Sequence, residues 1–191
     1  MTNIVIVSIA RTPITKFCGS LSSLKGSELG SVAIKGALAK LPDHNILIRE
    51  AFLGNVVSAG MGQAPARQAV LGAGLPMSTI CTTVNKVCAS GMKSVMLAAQ
   101  SLQCAGSINP GFAMLAGGFE SMSNIPHYLS SSRTGKKLGH AELLDGVIHD
   151  GLWDAYTDQV CCVFQLYIYE LVVSLFSLSL LIHTVPLNCY S

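Results

Sequence analysis

An α/β architecture, a mixed sheet covered by helices, follows from three features of the 191-residue sequence. Short apolar runs rich in β-branched residues recur, segments with apolar residues at helical spacing lie between them, and Gly or Pro stands at the joints. NIVIVSIARTPI, residues 3–14, holds a buried strand over Ile4 to Ile9 that stops at Arg11-Thr12-Pro13. Gly26 to Leu41 then carries Leu29, Val32, Ala33, Ala37, Leu38 and Leu41 at helical spacing, with Ser27 placed to cap the helix and Pro42 to close it. EAFLGNVVSAG, 50–60, reads as a second strand entering a Gly-rich loop. QAPARQAVLGAGLP, 63–76, reads as a short helix closed by Gly72 or Gly74, and MSTICTTVNKVC, 77–88, as a third strand. A helix over Ala89 to Gln103 and a fourth strand in GFAMLAGGFESMS, 111–123, complete an alternation that favours parallel or mixed pairing.

The length suffices for one domain with a proper core, so no metal or disulfide is needed to hold it together. Twelve Lys and Arg against ten Asp and Glu give a charge of +2, and no basic cluster exceeds Arg133, Lys136 and Lys137, which argues against a nucleic-acid partner. Seven cysteines without framework spacing, and no secretory start, point to a reducing compartment. Cys161 and Cys162 are adjacent, no CxxC occurs, and the five histidines are scattered, so zinc has no support. Gly60-Met61-Gly62 and Gly72-Ala73-Gly74 lack the third glycine of a dinucleotide fingerprint, and no P-loop is present.

Residues 124–158 are more polar, with SSSRTGKKLG (130–139) as an exposed loop and LLDGVIHDGLWDAY (143–156) as a short helical or turn-rich piece. Beyond Asp158 only Glu170 is charged, and no Lys or Arg follows Lys137. The apolar run 160–182 is close to the ~20 residues that span a bilayer, but Glu170 falls near its centre, which argues against membrane association. The run has neither helical stripe nor turn punctuation and reads as a foreign C-terminus.

One cysteine stands apart. Cys88 lies where a β-branched strand gives way to a helix, facing the first-turn N–H groups and the positive end of the helix dipole, both of which favour the thiolate. Small neighbours Ala89, Ser90 and Gly91 leave room for a substrate carbonyl, and their amides could receive an oxyanion. Against this stands the plainer reading of a small buried hydrophobe, which is also the reading for Cys81 and Cys104. Cys18, in a loop, is expected to be partly exposed.

Resemblance bears on that choice. VNKVCASGMKSVMLAAQSL, 84–102, resembles the acyl-enzyme signature of the thiolase family, and its KVCASGMK wording resembles the acetyl-CoA acetyltransferase branch. IVIVSIARTPITKFCGSLSSL (4–24), LGNVVSAGMGQAPARQA (53–69), MLAGGFESMSNIPHYL (114–129) and DGLWDAY (150–156) are similar to further family stretches. The resemblance implies a thiolase-like N-terminal domain over 1–123, the start of the family's loop region over 124–158 and a non-homologous apolar tail over 159–191, incomplete against the two-domain thiolase fold. It implies that Cys88 accepts an acetyl group as a thioester, that Leu152 packs against the pantetheine end of coenzyme A, and that Ser130 to Leu138 lie in the region that assembles dimers into tetramers. No resident cofactor is implied, because acetyl-CoA and CoA serve as substrates.

The family's Asn-containing stretch, Gly-His-Pro turn and Cys-Gly-Gly segment do not occur in these residues, and neither His183 nor Cys189 has the right neighbours to replace them. Poor turnover by this chain alone is therefore expected, as is an uncovered face where the family pairs two similar halves. A 3-ketoacyl-CoA thiolase, or a non-catalytic subunit that pairs with full-length thiolase, stay as alternatives, and the expected protein partner is a second copy in a homo-oligomer or a full-length thiolase. Transit, signal and peroxisomal signals are absent, which points to the cytoplasm.

Overall fold

The strand-forming runs assemble into one central sheet in the computed structural model, which describes residues 3–41, 46–105, 112–160 and, as backbone, 178–185. β1 (Asn3–Arg11), β2 (Leu47–Gly54), β3 (Ile80–Val84) and β4 (Phe112–Gly118) come from the four runs named above, and β9 (Leu178–Val185) comes from the apolar tail. The order across the sheet is β1-β9-β4-β2-β3. β2 pairs in parallel with β3 and β4, whereas β9 runs antiparallel to both β1 and β4. The mixed sheet expected from the alternation is present, but its antiparallel member is a segment that the sequence reading left outside the fold. Of the run 160–182, residues 161–177 lie outside the described residues; 178–182 are strand. Among the described residues no helix is long and apolar enough to cross a membrane.

α1 (Gly26–Leu38) and α2 (Pro65–Gly72) cover one face of the sheet, and α3 (Ser90–Ala105) covers the other. Alternation along the strands builds the two cores. Ala51, Leu53, Ala113 and Leu115 point to Ile34, Ala69 and Val70, while Phe112, Met114 and Ala116 point to Ala98 and Leu102, with Phe52 packed alongside. β4, with neighbours on both edges and helices on both faces, is buried from Phe112 to Gly117.

Three local expectations are corrected. α1 begins after Lys25, whose N–H donates to the Glu28 carboxylate (2.7 Å); Ser27 is no cap, and its hydroxyl donates to Gln68 Oε1 (3.2 Å) on α2. The helix ends at Leu38 rather than Leu41, and its buried stripe is Leu29, Ala33, Ile34 and Ala37, with Val32 outside it. Cys104 is exposed, because Ala98 and Leu102 take the core positions of α3; Cys18 is exposed as well. Cys81 is half-buried against the core, where burial pushes its thiol up and Arg67 opposes the shift.

After β4 the chain makes a 3-10 turn, Met122–Asn124, then pairs β5 (His127–Tyr128) with β6 (Leu144–Asp145) around an exposed loop. A single π-helical turn, Val147–Leu152, leads into the small antiparallel pair β7 (Trp153–Asp154) and β8 (Gln159–Val160). The helical or turn-rich piece of the sequence is this turn.

Candidate active site

Cys88 sits on the turn between β3 and α3, and it is exposed, so it fills no core space. The turn is tightly bonded. Ala89 N–H donates to the Lys86 carbonyl (3.1 Å) and Ser90 N–H to that of Val87 (3.0 Å). The Ser90 hydroxyl accepts from Lys86 N–H (2.8 Å) and donates to the Val87 carbonyl (2.6 Å). From the strand side, Asn85 Oδ1 accepts Val87 N–H (2.9 Å). Val87 is thereby held at φ 48°, a left-handed conformation that costs a β-branched residue roughly 1–2 kcal/mol. Two of the amides considered for an oxyanion, Ala89 and Ser90, are thus already engaged within the turn.

Glycines let the first turn of α3 settle directly on the sheet. A Cβ on Gly54 would stand 2.6 Å from both Gly91 N and the Ser90 carbonyl carbon, and one on Gly118 would stand 3.2 Å from the Gly54 oxygen. Backbone therefore stacks on backbone, placing Cys88 at the carboxyl ends of β2, β3 and β4, where open α/β sheets commonly bind ligands.

Beneath this turn lies a buried polar frame. Asn55, 1% exposed, donates through Nδ2 to Glu120 Oε1 (3.0 Å) and the Phe119 carbonyl (3.3 Å), while its Oδ1 accepts the Ser58 hydroxyl. Val56 N–H donates to Glu120 Oε2 (2.8 Å), and the Val56 carbonyl accepts from Asn85 Nδ2 (3.1 Å). Burial raises the Glu120 carboxyl, and the amides of Val56 and Val57 together with Asn55 pull it back.

Leu152 is half-buried at the end of the π-helical turn. Next to it a Cβ on Gly151 would touch Val57 Cγ2 at 3.4 Å. The segments carrying Cys88 and Leu152 therefore bear on the same loop, 55–57. A second cluster ties the Leu152 segment to β5: Tyr128 O–H donates to Asp150 Oδ2 (2.7 Å), and His149 Nδ1 lies 2.7 Å from Asp150 Oδ1. Ser130 to Leu138 form a mostly exposed loop. Among the described residues no three His, Cys, Asp or Glu gather as a metal site requires.

This cluster has a pH signature. Hydrogen bonds from His149, then Tyr128, lower the Asp150 carboxyl, so its contribution is present above the unfolded value and is lost as pH falls through the folded one. Burial, then the bond to Asp150, pushes the Tyr128 phenol up to about 12, so that contribution is complete below an ordinary phenol value of ~10 and is lost between there and 12. The tyrosinate absorbance difference between wild type and Tyr128→Phe is expected to titrate near 12; a difference titrating near ~10 would rule the bond out.

The sequence singles out Cys88 and Leu152 as candidates and passes over Asn55, Asn85 and Glu120. Signals existed. Asn85 stands two residues before a position that needs a turn, and Glu120 is a lone carboxylate in an apolar, Gly-rich stretch.

The fold belongs to a known class. The model of the thiolase N-terminal domain matches residues 4–165, past Asp158, and the chain belongs to the thiolase family. Its relatives carry a more particular name. The chain is 56% identical over 156 residues to acetyl-CoA acetyltransferase 1 of Arabidopsis thaliana, covering 82% of this chain and 37% of that protein. It is 53% identical over 153 residues to the mitochondrial acetyl-CoA acetyltransferase of Homo sapiens, covering 80% and 34%. Against a cytosolic acetyl-CoA acetyltransferase of Gibberella zeae the identity is 54% over 151 residues, covering 79% and 37%. The chain thus spans little more than a third of the length of these relatives.

Proposed function

We propose that this chain carries the acyl-accepting half of an acetyl-CoA acetyltransferase site, with Cys88 as nucleophile. The reading rests on one observation: in a member of the thiolase family, the cysteine of the KVCASGMK stretch stands exposed on a strained strand-to-helix turn over the sheet. The Cys88 thiolate attacks the carbonyl carbon of acetyl-CoA, the bond from that carbon to the CoA sulfur breaks, and CoA departs as a thiolate that takes a proton. An acetyl thioester on Sγ remains.

Leu152, on the segment that shares loop 55–57 with the cysteine turn, lines the path of the pantetheine arm in this reading. No resident cofactor takes part, since CoA thioesters are the substrates. Condensation to acetoacetyl-CoA also needs a base and a second acid/base, each worth typically ~10²–10⁴-fold, and these residues supply neither in the family's form. Acylation without efficient turnover follows for this chain alone. Cytoplasmic placement accords with the cytosolic relative, although a mitochondrial one is similarly close.

A second reading has its own observation. Met92 and Met96 on α3 and Ile6 and Ile9 on β1 are large apolar side chains left in solvent, as expected of a unit that pairs with a full-length thiolase protomer. Co-purification with such a protomer, lost on Met92→Glu/Met96→Glu, is the expected result.

The first reading is tested by mass spectrometry of the purified chain after incubation with acetyl-CoA. One acetyl group on Cys88, absent in Cys88→Ala, is expected. Equal labelling of Cys18, Cys88 and Cys104 would overturn it.

A further inference from the structure

We infer that Asn85 is a positioning residue for Cys88: its side chain ties the exposed cysteine turn to the buried Glu120 frame and holds Val87 in the left-handed conformation that presents the thiol. The inference rests on Cys88 being the acyl acceptor.

Both ends of the amide are used. Oδ1 takes Val87 N–H at 2.9 Å, and Nδ2 reaches the Val56 carbonyl at 3.1 Å. Val56 is itself fixed from below, because its N–H meets Glu120 Oε2 at 2.8 Å and Glu120 Oε1 meets the buried Asn55. Asn85, Val87 and Cys88 are all exposed, so core packing does not hold this part of the turn. Ser90 holds it from the helix side through Lys86 N–H and the Val87 carbonyl. Asn85 is the matching hold from the strand side, and it connects the turn to a carboxylate that bonds two consecutive residues of the 55–57 loop. Without it Val87, β-branched and at φ 48°, is free to return to an extended conformation, which swings the next residue away. Displacements of this order, about 1 Å, are enough to cost up to ~10²-fold in a group-transfer step.

The test compares acetylation of Cys88 by acetyl-CoA in wild type, Asn85→Ala and Asn85→Ser, with iodoacetamide labelling of every cysteine read in parallel by peptide mass spectrometry. Alanine removes both bonds and is expected to slow Cys88 acetylation at least tenfold. Serine keeps a short oxygen for the Val87 amide and is expected to recover most of that loss. Cys18 labelling is unchanged and half-buried Cys81 stays slow in each, which separates mispositioning from unfolding. Should Asn85→Ala label Cys81 rapidly, the comparison passes to Asn85→Ser against Val56-side loss in Glu120→Gln, where a slower Cys88 with protected Cys81 is again expected. Equal acetylation rates in wild type and the folded variants would overturn the inference while leaving Cys88 as nucleophile. A wild type that takes no acetyl group on Cys88 would instead overturn both.

Discussion

Replacing Gly54 by alanine is expected to destabilise the protein by about 3 kcal/mol or more and to abolish most acetylation of Cys88. The new Cβ would meet Gly91 N and the Ser90 carbonyl carbon at 2.6 Å and Ser90 Cβ at 2.9 Å. None of these atoms is the end of a flexible side chain. All three belong to the first turn of α3, and that turn is bonded to Lys86 and Val87, so the helix start must lift as a unit. Lifting it uncovers Ala98 and Leu102 from β4 and moves the cysteine turn together with them. Gly91→Ala is the control, since a Cβ there comes no closer than 4.0 Å to anything outside its own helix. That variant is expected to be neutral or slightly stabilising, because alanine favours helix by about 1 kcal/mol over glycine. Urea unfolding of the two variants checks both statements; a Gly54→Ala protein with the wild-type midpoint would show that the packing of α3 on β2 is looser than described.

Ending the chain before Leu178 is expected to abolish cooperative folding. β1 pairs with β9 along its length, from Asn3 opposite Val185 to Arg11 opposite Leu178, and among the described residues has no other strand beside it. β4 pairs with β9 from Ala113 to Gly118 on the edge away from β2. Deletion would detach the first strand and strip one edge of the most buried one. Each ladder hydrogen bond contributes about 0.5–1.5 kcal/mol net, and the bonds at stake hold eight residue pairs to β1 and six to β4, against a total stability of roughly 5–15 kcal/mol. Bare edges at β1 and β4 also invite pairing between copies. Leu181→Pro gives a graded version, since Leu181 stands opposite both Ser8 and Leu115 and proline there removes a donor at the centre of the sheet. Circular dichroism melting and gel filtration of the 1–177 chain and of Leu181→Pro decide the matter. A truncated chain that elutes without aggregation and melts as the full one does would mean β9 contributes nothing.

The two predictions mark where sequence was readable and where it was not. The four strands and three helices preceding residue 124 follow from short β-branched runs, apolar residues at helical spacing and Gly or Pro at the joints, because each packs against an element close in the chain. Ile4 to Ile9, the Ala-rich helix after Cys88 and the apolar run of β4 are visible for that reason. β9 was not legible. Its run LSLLIHTV is mostly apolar but carries Ser179, His183 and Thr184 without strict alternation, and no turn punctuation sets it off from the apolar run before it, so only its partners, far away in sequence, mark it as a strand of this sheet. Cys88 and Leu152 were reached by resemblance, whereas exposure, the left-handed Val87 and the glycine stacking required coordinates. Glu120 and Asn55 stayed hidden for a different reason: a half-buried carboxylate is defined by the amides that bond it, and those come from a loop more than sixty residues earlier.

The place of β9 also sets an order of events during synthesis. β1 is made well before β9, with the other strands between them, yet each is the other's neighbour in the sheet. At elongation rates of about 5–20 residues per second, β1 leaves the ribosome some 10–35 s before its partner exists. Helix pairing and the β2–β3–β4 unit, built from shorter loops, have time to form in that interval. β1 therefore waits with one backbone edge unpaired, which makes it a natural segment for a chaperone to hold, and docking of β9 joins β1 to β4 in one late step.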